Sequence, residues 1–458
     1  MPRDLNKHPD ALDIAVIGSG VAGMGAAWVL SRAHRVTVYE REGRIGGHSH
    51  TIEVIDNGER IPVDTGFIVY NELNYPDLTA LFAYLGVDTQ PSEMSFAASL
   101  DNGHLEYSGS SLAGLFGQPR NLIRPRFLRM LRDIRRFYRE GPKLLADDQP
   151  GPSLGEYLDR GGYSTAFIED HLLPMAAAIW STGTASMRSY PASAFIRFCL
   201  NHGLMQVSGR PQWRTVVGGS RSYVKRLTAS FSDRIMTNAQ VTGITRTPAG
   251  VLVEDANGAT NRYDQVVIAT HADQALAVLR DADDDEKRLL GAFRYSANTV
   301  FVHQDERLMP KRRRVWASWN YLGSSRRKNR ETPLPADDGS TSVSVTYWMN
   351  RLQTLSSSAP IFVTLNPRTP PAKDKILRVL AYDHPMYDAA ALQAQASLHG
   401  LQERRDTWFC GSYFGAGFHE DALTSALAIG ERLGVPRPWL DGNGATDPLA
   451  EGSRSTAE

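Results

Sequence analysis

The residues Gly18-Ser19-Gly20-Val21-Ala22-Gly23 have the types and the spacing to hold a diphosphate. They follow a branched apolar run at 14–17 and open a helix-forming stretch that ends near Leu30, the strand–turn–helix setting this glycine spacing requires. Gly18 permits the sharp turn and Gly20 leaves room for a phosphate to approach the backbone. Gly23 and Gly25 let the helix close on the strand, with its positive end toward the charge. A second short run at 36–39 ends on Glu40, placed to accept from a ribose hydroxyl. A dinucleotide site follows from these residues, with Val21 and Ala22 in the turn that meets it.

The next residues narrow the kind of dinucleotide. YEREGRIGGHSHT resembles the signature of the flavin amine oxidase superfamily, which includes protoporphyrinogen oxidases and carotenoid desaturases. The resemblance implies FAD, a Rossmann-like FAD-binding domain and an interleaved α+β substrate domain. By its pattern Arg41, Arg44, Gly46, Gly47 and His48 run along the diphosphate toward the flavin, Arg44 with a charge-assisted phosphate contact. The continuation VDTGFIVY is also similar to the family's, and assigns Thr65, Gly66 and Phe67 to the cofactor. AQVTGITR implies that Val241 lays its backbone against the adenine. WFCGSYFGAGFHEDALTSALAIGERL resembles the closing FAD motif, and so assigns Gly411, Ser412, Glu420, Asp421 and Ala422. Serine at 412 departs from the acid many relatives carry. A helix beginning near Leu423 is expected to aim its positive end at the flavin.

Which chemistry the flavin serves is less fixed. Many amine-oxidising relatives place a lysine near the ring, and no segment here supplies one convincingly. The expected counterpart, SVSVTYWMNRLQ, offers Tyr347 and Trp348 instead. His48 and His419 are the leading acid–base candidates because both flank cofactor motifs, with His50, His303 and His384 behind them. Trp180 and Tyr347 are the substrate-side candidates, although ordinary core packing would use the same residue types. The twelve histidines show no H-x-x-x-H spacing, and no metal is expected. The chain is also similar to bacterial flavoproteins whose genes accompany cyclopropane-fatty-acid-synthase-like methyltransferases. That likeness implies desaturation or oxidation of a modified unsaturated fatty acyl chain, with hydride passing to flavin N5 and oxygen or a quinone completing the cycle. An amine or protoporphyrinogen-type oxidase, a flavin-dependent double-bond isomerase and a flavin-binding protein without turnover are the competing readings.

The elements that must position these residues are α/β and interleaved. Residues 12–75, 212–290 and 402–440 are expected to build the FAD-binding domain. Residues 76–211, largely helical, and 291–401, with a mixed or antiparallel sheet, are expected to build the substrate domain. Segments 1–11 and 443–458 read as disordered. Strands are expected at 241–246, 250–254, 264–269, 298–303, 315–320, 341–348 and 378–382, helices at 75–85 and 124–140, and a hairpin turn at Asp56-Asn57-Gly58. Fifty basic and fifty acidic residues cancel, so bulk charge names no partner and nucleic acid has no recognition module. Only Cys199 and Cys410 are present, which fits a reducing compartment. With no secretory signal evident, a cytoplasmic protein is expected. One segment stands apart: Arg120 to Lys143 holds nine basic residues and two acids. Phe127, Met130 or Leu131, Ile134, and Phe137 or Tyr138 recur there at helical spacing. Such a helix can lie on anionic lipid, peripheral to a membrane, or pack its apolar stripe into the core.

Overall fold

A computed structural model describes residues 11–146, 151–180, 187–206, 209–323 and 344–440. The lead before residue 11, the polar loop after Gly323 and the tail after Leu440 lie outside the described residues. A five-stranded parallel sheet gathers segments from the beginning, middle and end of the chain. Its order is Ile235–Met236, Arg35–Tyr39, Asp13–Ile17, Gln265–Ile268 and Thr407–Phe409. The central strands carry the unbroken apolar runs Ile14–Ile17 and Val266–Ile268 because both faces of the sheet are covered there. On one face the helix Val21–Leu30, buried all round, packs against the C-terminal helix His419–Arg432. Gly25 makes that approach feasible, since a Cβ there would lie 2.8 Å from Leu423 Cδ1.

A seven-stranded sheet forms the second layer, in the order Ile376–Met386, Arg294–His303, Phe362–Leu365, Ser344–Trp348, Trp319–Gly323, Phe96–Leu100 and Leu105–Ser108. All its pairs are antiparallel except Trp319–Gly323 with Phe96–Leu100. The sequence predicts a strand at 315–320, yet a 3₁₀ turn at Arg313–Val315 precedes the strand at Trp319–Gly323. The Asn320 side chain accepts from Ala317 N and donates to Ala317 O, closing a turn that delays pairing. The expected hairpin joins Thr51–Asp56 to Glu59–Asp64, with Asn57 at φ 50° and Gly58 at φ 85°.

A helical group completes the fold: Pro125–Glu140, Leu154–Arg160, Leu173–Trp180, which packs on the strand Trp319–Gly323, and Ala192–Asn201. Ser153 and Glu156 start the second of these with a reciprocal capping box. Phe127, Met130 and Phe137 of the arginine-rich helix Pro125–Glu140 are buried in the core. Its apolar stripe therefore faces inward, and any lipid contact must use other side chains. No helix among the described residues is long and apolar enough to cross a membrane.

Candidate functional site

A cavity of about 1380 Å³ runs between the parallel sheet and the second sheet and opens beside the helical group. Its inner end is made of backbone. Gly18 sits at φ 98°, where a side chain is disfavoured, and donates its N–H to Tyr39 O at 2.8 Å. A Cβ on Gly20 would meet nothing within 4 Å, so this edge of the turn faces open space. Across from it, Gly47 comes so near that its Cβ would lie 3.0 Å from Gly20 Cα, and Gly46 N donates to Ser19 O at 3.0 Å. The two glycine turns thus form one cradle with its amides at the start of a helix.

Of the residues expected to bind the cofactor, Gly18, Gly20, Val21, Ala22, Glu40, Arg41, Arg44, Gly47, His48, Thr65, Gly66, Phe67, Val241, Gly411, Ser412 and Ala422 line this cavity. Gly23, Gly46, Glu420 and Asp421 do not. Gly23 acts within the turn, where a Cβ would lie 1.8 Å from Gly18 O. Gly46, at φ 109°, would place one 2.6 Å from Ser49 O. Glu420 turns away and accepts from Asp77 N and Leu78 N, capping the helix Pro76–Leu85. Asp421 accepts from Phe418 N and caps its own helix, which begins at His419, four residues earlier than the sequence suggests. Burial pushes the Glu420 carboxyl up to about 7 and that of Asp421 up to about 6.

The cradle's chemistry suits a dinucleotide. Glu40 is fixed by Ser19 N and Glu42 N and presents its carboxylate in the cavity wall. Arg44 bonds Gly47 O at 2.8 Å and lines the same wall, where a phosphate would meet it. The buried ring nitrogens without a hydrogen-bond partner include His48 Nε2 and His271 Nδ1. Both rings line the cavity, and an unmet buried donor or acceptor is costly. A polar ligand filling this space would answer them. The residues present therefore fit FAD.

Where cradle and second sheet meet, aromatic rings converge. The His48 ring lies 5.0 Å from that of Tyr382 and 5.6 Å from that of His384. His271 stacks on Tyr295 at 4.3 Å. His419 stacks on Phe67 at 3.9 Å, and its Nε2 bonds the Tyr223 hydroxyl at 2.7 Å. Burial pushes His48 down to about 4, with His271 and Arg44 adding to the effect, and pushes His419 and His384 down to about 3, with His48 adding. At neutral pH these imidazoles are uncharged. His303 is committed elsewhere, bonding Thr364 Oγ1 and accepting from Asp305 N, and His50 bonds the Tyr382 hydroxyl.

The outer half is apolar: Phe96, Phe116, Leu131, Ile134, Met175 and Tyr347 are among its walls. Trp180 closes the helix Leu173–Trp180, and its side chain lies outside what is described. Tyr382, missed as a site residue, shares one face of the strand Ile376–Met386 with His384, which the sequence offers only as a secondary acid–base candidate, by the two-residue alternation. The expected strand stopped at 382, so this pairing was out of view. His271 had a signal, since it lies in the stretch VVIATHADQA that leads out of the parallel sheet.

The sequence pattern of flavin containing amine oxidoreductases matches residues 21–359. A Mycobacterium tuberculosis protein described as a flavin-containing monoamine oxidase is 28% identical over 274 residues, covering 56% of this chain. The match spans 57% of that relative's length. Cyclohexylamine oxidase from Brevibacterium oxydans superimposes with a TM-score of 0.66 at 15% identity, covering 93% of this chain and 100% of that one. A CLA-producing fatty acid isomerase from P. acnes gives 0.63 at 18%, covering 92% and 98%. These structural likenesses establish a shared fold.

Proposed function

This chain belongs to the flavin-containing amine oxidoreductase family, and from that premise we propose that it is an FAD-dependent oxidoreductase acting on a hydrophobic substrate, a modified unsaturated fatty acyl chain being the best match. One observation carries the reading: beyond the cradle the cavity walls are mainly apolar, and the exposed charged side chains that line them are Arg135 and Arg210, with Asp383 partly buried beside His384. An amine substrate would arrive as a cation and meet guanidinium groups. A long apolar chain with an anionic head meets matching walls and a matching charge. No lysine lines the cavity among the described residues, which removes the group many amine-oxidising relatives use near the ring. The shared fold does not choose, since it carries an amine oxidase and a fatty acid isomerase alike.

Bound FAD supplies the two-electron acceptor for a hydride leaving an activated carbon. The chain's own work is to align and protect that carbon. Apolar walls hold the acyl segment and exclude water, and the neutral imidazoles where cradle and second sheet meet, His48 foremost, are our candidates to take the accompanying proton. Loss of hydride and proton from adjacent carbons leaves a new double bond. Oxygen or a quinone then serves as the final acceptor.

Anaerobic titration of the FAD-loaded protein tests this. A phospholipid extract containing methyl-branched or unsaturated chains should bleach the 450 nm band and yield a product two mass units lighter. Bleaching by simple amines or a porphyrinogen in place of lipid would move the assignment to the oxidase alternative. A lipid product of unchanged mass would identify a double-bond isomerase.

A further inference from the structure

We infer that the mouth of the cavity is a docking rim for an anionic bilayer surface, so that substrate passes from the lipid phase directly into the apolar half of the site; this rests on the lipid reading above. The rim is formed by the segment between Ser111 and Glu140. Leu112 is 77% exposed yet lines the cavity, so the cavity reaches the surface beside it. Close by in the chain, Leu122, Ile123 and Leu128 also stand exposed, Ile123 at 82%. Four of the eleven large apolar side chains exposed among the described residues fall between 112 and 128. On the helix Pro125–Glu140, Leu128, Leu131 and Arg135 lie on one row at three- and four-residue spacing, and the last two line the cavity. The exposed apolar row is therefore continuous with the substrate path.

Charge selects the occupant. Arg129, Arg132, Arg135 and Arg139 are exposed on the outer side of the same helix. Its two acids offset part of this charge: buried Asp133 accepts from Ser164 N and pairs with Arg132, and Glu140 pairs with Arg136 and Arg139, so two acids stand against the arginines of this side and the balance stays positive. Arg314 adds a further cation, its stem beside Gly117 just after the Leu112–Leu115 helix. Protruding leucine and isoleucine set among arginines suit a layer with phosphate at its face and hydrocarbon beneath. The inward stripe of Phe127, Met130 and Phe137 is the structural anchor for this rim and takes no part in docking.

The test is flotation of the full-length FAD-loaded protein with vesicles of phosphatidylcholine alone or with 30% phosphatidylglycerol, at low and high salt. Wild type should partition at least tenfold more strongly onto the anionic vesicles and lose that preference in high salt. Leu122→Ser with Ile123→Ser, and separately Arg129→Glu with Arg132→Glu, should each lower partition about tenfold or more. Neither pair lines the cavity, so flavin content and bleaching by detergent-dispersed lipid should stay at wild-type levels in both. Absent binding, binding indifferent to both double variants, or a dimer that dissociates on Ile123→Ser would overturn the proposal. Bleaching by dispersed lipid without vesicle binding removes the rim and leaves the lipid reading standing. Vesicle binding with no lipid able to bleach the flavin does the reverse.

Discussion

At its inner end the cavity is walled by main chain, two glycine turns and a helix start held by the parallel sheet; at its outer end it is walled by side chains on short helices and strand ends. The inner wall is intolerant because its contacts are backbone on backbone, such as the approach of Gly47 to Gly20. The outer wall tolerates exchange of one apolar side chain for another, since only volume and polarity matter there. Cofactor identity thus rests on geometry that few sequences satisfy, and substrate identity on a surface that drifts easily.

The sharpest way to break this contrast is at the glycines. Gly23→Ala should destabilise the fold by more than ~4 kcal/mol and abolish flavin retention, because the added carbon has only the Gly18 carbonyl to displace. Gly20→Val should keep the apo melting midpoint but weaken FAD binding on the order of a hundredfold, as its side chain enters open space. If both variants bind FAD normally, the cradle is misassigned. At the junction, His48→Ala should retain FAD yet slow lipid-driven bleaching about 10²-fold, read by anaerobic stopped flow. At the outer end, Ile134→Trp should cut turnover of long-chain lipids roughly tenfold with flavin content unchanged.

Acid should separate the two ends less drastically. His48, His271, His384 and His419 sit at about 3 to 4 in the fold against 6.5 as free side chains. The unfolded chain binds the extra protons between those values, so this stability is complete above about pH 6.5 and is lost as pH falls toward 4. Asp64 and Asp421, raised to about 6, and Glu420, raised to about 7, act in the opposite sense and blunt the change. The apo melting midpoint should still fall between pH 6.5 and 4.5, and His384→Asn should shrink the fall. The smallest effect is expected at the rim. Ser111 caps the Leu112–Leu115 helix by accepting from Gly114 N, so Ser111→Ala should cost about 1 kcal/mol and leave flavin content intact.

The amino-acid sequence determined the cradle: Gly18, Gly20 and Glu40 are local to one strand–turn–helix–strand unit, whose geometry is set by φ, sterics and a helix end within a few residues. The Arg44-to-His48 turn was legible for the same reason. What only the tertiary structure decided are the contacts between distant segments. Glu420 reads locally as a first-turn acid, yet its oxygens serve a helix start at Asp77 and Leu78 from the other end of the chain. Tyr382 and His384 reach His48 only because strand register carries them there. The arginine-rich helix shows a 3.6-residue stripe that fits lipid and core equally well. Burial alone distinguishes them, and burial is a property of what packs opposite, which periodicity does not encode.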